Sequence, residues 1–133
     1  MASLAPGKPL ALLQNASIRA RMCELLAPLA GMKQRAMAAF LVGMFSQIDA
    51  FTDQPMTEAL DLLPLETSVR EALLGADNDL RSLLDVVCAY ERGAWQEMQV
   101  AAQAIGIGVA DVPAQYVLAV RWATRGNATD LVE

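Results

Sequence analysis

Residues 33–51 read KQRAMAAFLVGMFSQIDAF, and this stretch has the clearest helical period in the chain. Its apolar side chains recur at steps of three and four, the pattern of a helix with one buried face. Gly43 lies inside the pattern, where glycine is less favourable than alanine by about 1 kcal/mol. Close approach of a neighbouring helix would explain this glycine. We therefore predict one central helix from Lys33 to about Phe51, packed through Met37, Phe40, Leu41, Met44, Phe45 and Ile48.

Helical periodicity also marks the rest of the chain, with proline and glycine placed where helices would end. Pro28 is expected to end or kink the first helix, and Gly75, Gly93 and Gly126 are expected to end later ones. No stretch alternates with the period of a β-strand. The pattern predicts an all-α fold, a compact bundle of about seven helices. The predicted ranges are 9–27, 33–51, 56–63, 66–74, 77–93, 94–105 and 111–125, in a single domain over residues 1–133 with residues 1–8 and 127–133 flexible.

Three side chains receive specific predictions from their place in these patterns. Leu13 and Trp95 fall on apolar helical faces, so both are expected to contribute to the core. Asp53 precedes Pro55 at the expected start of a short helix, so it is predicted to cap that helix.

The composition is that of a folded helical protein. Hydrophobic residues make up 55% of the 133 residues and charged residues 19%, well away from the composition of disordered chains. Aromatic residues make up only 5%, so leucine, alanine, valine and methionine must fill the core, which favours helices. The sequence shows neither a signal peptide nor an apolar run of the ~20 residues that span a bilayer. We expect a cytoplasmic protein without membrane partners.

Basic residues are concentrated in the first third of the chain, although the net charge of the whole is −5. Residues 1–45 contain a single acidic residue, Glu24. Such asymmetry indicates either an interaction face or solvated charge on the outer faces of helices, and the sequence leaves both open. Two lysines, an acidic total and no interleaved aromatic residues argue against nucleic-acid binding. The candidate anion or partner contacts are Arg19, Arg21, Lys33 and Arg35.

The sequence provides no recognisable catalytic or metal-binding constellation. It has no histidine, so the commonest general base and the usual serine and cysteine triads are excluded. Two carboxylate pairs remain, and helix capping or polar contact at a helix end is the favoured role for both. We expect no catalytic residue, metal or cofactor. The pairs are Asp49 with Asp53 and Asp77 with Asp79.

The two cysteines, Cys23 and Cys88, both fall on apolar helical faces. A zinc site would need about four closely grouped ligands, which the sequence lacks. Buried thiols are therefore the favoured interpretation, and a disulfide stays open.

Six short segments are distinctive through their order and spacing together. They are 19–26 (RARMCELL), 43–49 (GMFSQID), 63–65 (LPL), 72–75 (ALLG), 90–95 (YERGAW) and 121–122 (RW). In combination they resemble the C-terminal portion of an HDOD domain, an HD-superfamily-related bacterial signalling module, of the type found in EAL–HDOD cyclic-di-GMP signalling proteins. The resemblance implies an HD-superfamily-like helical fold. It also implies that the first half of the domain is missing from this sequence, and the sequence leaves open whether the chain is a fragment of a longer protein.

The resemblance and the residues lead to two alternative functions. Related HD phosphohydrolases build their metal centres from histidine and aspartate, and no position here matches those ligands. The first expectation is therefore a non-catalytic regulatory module that contacts a protein partner, an attached output domain or a second copy. The alternative is a sensor that binds a nucleotide or another small molecule between helices.

Overall fold

The computed structural model describes the backbone of residues 8–132 and the side chains of residues 10–125. This part of the chain is helical without strands, which confirms the predicted all-α class. Between residues 8 and 132, eight α-helices and one 3-10 turn follow one another through short connections. The elements are α1 Lys8–Leu29, the 3-10 turn Lys33–Arg35, α2 Ala36–Phe45, α3 Ile48–Thr52, α4 Met56–Asp61, α5 Thr67–Leu73, α6 Asp79–Arg92, α7 Trp95–Ala104 and α8 Asp111–Val132.

The core forms where α1, α2 and α6 pack together, with α8 against α1 and α7 against α6. The buried face of α1 contains several alanines as well as larger side chains, so neighbouring helices can approach it closely. Leu13 lies off this face and is exposed, so its predicted place in the core was wrong. The largest fully buried side chains include Met22, Leu26, Val42, Leu60, Val69, Leu83, Val86 and Val87.

Gly43 marks the closest approach between α1 and α2. A Cβ atom at this position would lie 2.6 Å from the Arg19 carbonyl oxygen and 2.7 Å from the Ala20 Cα. These are backbone atoms of α1, and they can yield only if the whole helix moves. The prediction that Gly43 admits a neighbouring helix is therefore confirmed.

The predicted central helix is interrupted at Ser46 and Gln47. The Ser46 hydroxyl donates to the Gly43 carbonyl oxygen at 2.8 Å and accepts from the Arg19 guanidinium at 3.0 Å. The Gln47 side-chain oxygen accepts from the Asn15 amide at 2.8 Å. Because α1 engages both polar side chains at this point, the chain turns between α2 and α3. The single helix predicted over 33–51 was wrong in this respect.

Some helix ends lie where the sequence predicted them and others do not. The Asn78 side chain accepts from the Arg81 backbone N–H at 2.9 Å and so caps α6, and Gly93 ends α6 with a φ of +71°. The N-cap position of α4 is Pro55 and not Asp53. Asp53 lies at the C-terminal end of α3, in the left-handed region with a φ of +54°.

The last helix is longer than predicted. Its backbone stays helical past Gly126 to Val132, so the predicted end at Gly126 was wrong. The expected flexibility of residues 1–8 and 127–133 stays a prediction, and residues 1–7 and 133 lie outside the described part.

Candidate interaction surface

Arg19, the first of the four candidate cations, is half-buried where α1 meets α6. Its guanidinium contacts both Glu91 carboxylate oxygens, with N···O distances of 2.9–3.1 Å, while another of its nitrogens donates to Ser46. The side chains of Arg19 and Glu91 are 16% and 19% exposed. Burial works to lower the pKa of Arg19, but hydrogen bonding to Glu91 and nearby negative charge outweigh it, so the pKa is raised. We call Arg19, Ser46 and Glu91 the Arg19 junction. In it, the Arg19 guanidinium donates hydrogen bonds to both of the other side chains.

Arg21 lies two residues further along α1, on a different side of the helix. Its Nη1 contacts Glu24 at 2.9 Å, and its guanidinium carbon stands 5.4 Å from the centre of the Trp122 ring in α8. Among the described residues, the buried Nε of Arg21 has no hydrogen-bond acceptor. Arg21 therefore holds the Trp122 ring at the edge of α8.

Lys33 and Arg35 line a cavity of about 690 Å³ between the 3-10 turn, α5 and the start of α6. Nη2 of Arg35 donates to Glu66 at 2.8 Å and to the Ser68 hydroxyl at 2.6 Å. The hydrogen bonds that Glu66 accepts, first from Arg35 and second from the Ser68 hydroxyl, lower the pKa of Glu66. Lys33 is exposed at the cavity rim and makes no ion pair within the described residues.

The four candidate cations thus have different surroundings. Arg19, Arg21 and Arg35 each contact a different carboxylate, and only Lys33 and Arg35 share a cavity. The sequence places all four within one segment, but the structure distributes them over several helix contacts. Their predicted roles in anion or partner binding stay predictions.

The remaining candidate groups have structural surroundings. Cys23 is buried and Cys88 is half-buried, and both thiols are free. Burial raises the pKa of both, that of Cys23 strongly. Within the described part, no cluster of three or more histidine, cysteine, aspartate or glutamate side chains has a geometry suited to a metal.

The outward side of α8 presents a feature that the sequence reading missed. Val117, Leu118 and Trp122 are 49%, 47% and 40% exposed, and Arg121 and Arg125 are exposed beside them. Neither arginine has an ion pair among the residues whose side chains are described. We call these five residues the α8 stripe. The buried residues Val112, Ala119 and Ala123 lie on the opposite side of the helix.

Trp122 is oriented within the α8 stripe by neighbours on two other helices. Phe40 of α2 meets its ring edge-on, with ring centres 6.1 Å apart and an angle of 90°. Arg21 of α1 lies over the same ring. Met37, one turn before Phe40, is 63% exposed and extends the apolar surface onto α2. The stripe is therefore part of a wider surface in which the most bulky side chain has a fixed orientation.

A second aromatic cluster joins α6, α7 and α8. Tyr90 packs against Trp95 with ring centres 5.5 Å apart and against Tyr116 at 5.0 Å. Trp95 is nevertheless 58% exposed, so its predicted burial was wrong. Its ring folds back towards Gly93 and Tyr90 instead of entering the core.

Among the described helices, none has both the length and the apolar character needed to cross a bilayer.

The chain is similar to segments of two longer bacterial proteins. It is 34% identical over 112 residues to the cyclic di-GMP phosphodiesterase CdgJ of Vibrio cholerae, which covers 84% of this chain and 26% of CdgJ. It is 41% identical over 78 residues to the Bacillus subtilis protein YuxH, covering 59% of this chain and 19% of YuxH. The chain thus spans about a quarter of one relative and about a fifth of the other. No family model and no solved structure matches it. Homology to CdgJ supports a role related to bacterial signalling.

Proposed function

We propose that the chain is a non-catalytic regulatory module of the HDOD type, acting through protein or interdomain contacts in a cytoplasmic, cyclic-di-GMP-related signalling protein. The observation that carries this proposal is the α8 stripe. Val117, Leu118 and the two arginines lie exposed on this side of α8, and Trp122 is 40% exposed although its ring also contacts Arg21 of α1 and Phe40 of α2. The partner is a protein segment, either part of a longer chain, a separate protein or a second copy, and neither nucleic acid nor membrane.

The composition of the α8 stripe is that of a protein-binding surface. Tryptophan and arginine are enriched among the residues that dominate binding energy at interfaces, and they act best when flanked by apolar contacts. Trp122 has this setting, with Leu118 one turn before it and Arg121 adjacent. Because Phe40 and Arg21 already orient its ring, a partner would need to order this side chain less on binding.

The non-catalytic part of the proposal is supported by the chemistry of the side chains. The sequence contains no histidine, on which the HD phosphohydrolases rely. The most enclosed charged groups, Arg19 and Glu91, neutralise each other. A regulatory role would work through a change in helix packing that alters how the stripe is presented to its partner.

Homology to CdgJ supports the signalling context, because a cyclic di-GMP phosphodiesterase contains a segment similar to most of this chain. The HDOD resemblance of the six sequence segments supports a regulatory domain in that context. Since this chain spans about a quarter of CdgJ, the phosphodiesterase activity of CdgJ need not reside in the matching segment.

Site-specific photo-crosslinking in the source bacterium tests the docking surface. The photoreactive residue p-benzoylphenylalanine replaces Leu118 on the stripe or, as a control, Leu62, which is 82% exposed between α4 and α5. We expect Leu118 to give a specific crosslink that mass spectrometry assigns to a signalling protein, to another part of the same polypeptide or to a second copy. Introducing Val117→Glu should remove this crosslink. Equal capture from both positions, or none from Leu118, would contradict the proposal.

Enzymatic assay tests the non-catalytic part separately. The purified chain is incubated with cyclic di-GMP and with nucleoside mono- and triphosphates in the presence of Mg²⁺ or Mn²⁺. We expect no turnover above the protein-free rate. Metal-dependent hydrolysis that scales with protein concentration would show that the module is an enzyme.

A further inference from the structure

The cavity beside the 3-10 turn combines two cations with an apolar wall. Its volume of about 690 Å³ falls within the range of roughly 300–1,000 Å³ that small-ligand sites occupy. Lys33 and Arg35 come from the 3-10 turn, Ser68 from α5, and Asn78 and Asp79 from the start of α6. Three separate elements therefore supply polar groups to one space.

Arg35 is held in place but retains donor capacity. Glu66 and Ser68 both contact its Nη2, while Ser68 also donates to Glu66 at 2.5 Å. Within the described residues, Nε and Nη1 of Arg35 have no protein acceptor. A guanidinium presents its N–H groups in one rigid plane, so these donors keep a defined direction. A ligand oxyanion could accept from them without displacing Glu66.

Lys33 supplies the mobile charge at the rim. It is exposed and makes no ion pair with any described carboxylate. A flexible ammonium of this kind can follow an oxyanion that Arg35 positions.

The other groups that line the cavity indicate which chemical features the rest of a ligand would need. The Asn78 side chain is occupied, because it caps α6 and donates to the Ser68 carbonyl oxygen at 3.1 Å. The Asp79 carboxylate lies in the first turn of α6, where the helix end partly offsets its charge, and it can accept from a ligand donor. Met32 and Leu80 provide apolar contact.

We infer that this cavity binds a small ligand with a terminal oxyanion, either phosphate or carboxylate, on an uncharged body that offers a hydrogen-bond donor. Lys33 and the free N–H groups of Arg35 receive the oxyanion. Asp79 accepts from the ligand donor, and Met32 and Leu80 contact its body. The inference goes beyond the docking role of the α8 stripe and does not depend on it, since different residues form the two surfaces.

Titration with simple anions, followed by the backbone amide signals in two-dimensional NMR, tests the inference. The probes are inorganic phosphate and acetate, each compared with chloride at the same ionic strength. We expect saturable shifts confined to residues 31–35, 68 and 78–80. Lys33→Gln should weaken the binding at least about fivefold, the effect of losing one close charge at a partly exposed site.

The control is Arg92→Gln, which removes the same amount of charge at an exposed position at the end of α6, outside the cavity. It should leave the affinity unchanged. Tighter binding of phosphate than of acetate identifies a phosphorylated ligand, and the reverse identifies a carboxylate. Shifts that do not saturate, that spread over all basic residues, or that keep the same affinity in Lys33→Gln would overturn the inference.

Discussion

The Arg19 junction and the α8 stripe both contain arginine, but in opposite surroundings. At the junction, Arg19 meets Glu91 and Ser46, and the groups are largely enclosed by α1, α2 and α6. On the stripe, Arg121 and Arg125 are exposed and have no ion pair among the described side chains. An arginine whose donors are satisfied inside the fold stabilises helix packing, whereas one left exposed beside apolar side chains is available to a partner.

The two regions also differ in how closely helices approach. At Gly43, beside the junction, α2 touches the backbone of α1. The outward side of α8 has half-exposed Val117 and Leu118 with room for further contacts. Substitutions near the junction should therefore affect stability, and those on the stripe should affect binding.

The largest effect is expected from Gly43→Ala. The new methyl group would lie 2.6–2.7 Å from backbone atoms of α1, so α1 itself would have to move. We expect a loss of about 3 kcal/mol in the free energy of unfolding, at the upper end for overpacking. Urea denaturation followed by circular dichroism measures it.

Gly75→Ala is the control for Gly43→Ala. A Cβ at Gly75 meets nothing within 4 Å, so its cost comes from the φ of +101° alone, about 1–2 kcal/mol. If Gly43→Ala were as stable as the native protein, the close contact between α1 and α2 would be refuted.

Breaking the Arg19 junction should have the next largest effect. Arg19→Ala leaves the largely enclosed Glu91 carboxylate without its partner. We therefore expect the free energy of unfolding to fall by about 2 kcal/mol, less than for a fully buried pair. The double variant Arg19→Met with Glu91→Leu should recover most of this loss, because no unpaired charge is left. Urea denaturation of Arg19→Ala and of the double variant, each compared with the native protein, gives both values.

The exposed pair of Arg92 and Glu97 provides the matched control for the junction. Arg92→Ala should change stability by less than about 0.5 kcal/mol, because solvent screens the pair. Equal losses at the two sites would show that enclosure adds nothing to the Arg19 pair.

Charge placed on the α8 stripe should leave stability nearly unchanged. Val117 is 49% exposed, so Val117→Glu should alter the free energy of unfolding by no more than about 0.5 kcal/mol. The same variant should abolish crosslinking from position 118. A large loss of stability would mean that Val117 serves the fold rather than a partner, which would weaken the contrast with the junction.

The smallest effect concerns the protonation of Glu66. The hydrogen bond from Arg35 lowers the pKa of Glu66 in the folded protein. The interaction therefore stabilises the fold at pH values above the ordinary pKa of a glutamate, and this stabilisation is lost as the pH falls through the lowered pKa of Glu66. Arg35→Gln should raise the pKa of Glu66, measured by NMR titration of its carboxyl carbon. Arg70→Gln, which removes a contact to Asp61 instead, should leave that pKa unchanged.

Local signals in the sequence predicted much of the helical framework. The all-α class follows from apolar spacing, and the close approach at Gly43 follows from a glycine inside a helical pattern. The break after α2 could not be predicted, because Ser46 and Gln47 are engaged by distant residues of α1. Burial of Trp95 was predicted wrongly because helical periodicity does not show which neighbour covers a face.

The candidate site shows the same division. The sequence identified Arg19, Arg21, Lys33 and Arg35 as one basic segment. The pair of Arg21 and Glu24 is local to α1, but the pairing of Arg19 with Glu91 and of Arg35 with Glu66 depends on which elements come together. Arg121 and Trp122 of the stripe stood out in the sequence as one distinctive segment, but no sequence signal showed that this side of α8 is exposed, since its apolar residues follow the same spacing as a buried face.

The sequence by itself determined the helices, the Gly43 contact and the absence of histidine, because each depends on residue identity or on spacing within a few turns. Only the tertiary structure decided the pairing of Arg19 with Glu91, where Lys33 and Arg35 meet a cavity, and that Trp122 is held at an exposed edge. Those outcomes depend on residues far apart in the chain. The free energy of a charge or an aromatic ring is set by what surrounds it, and packing alone supplies those surroundings.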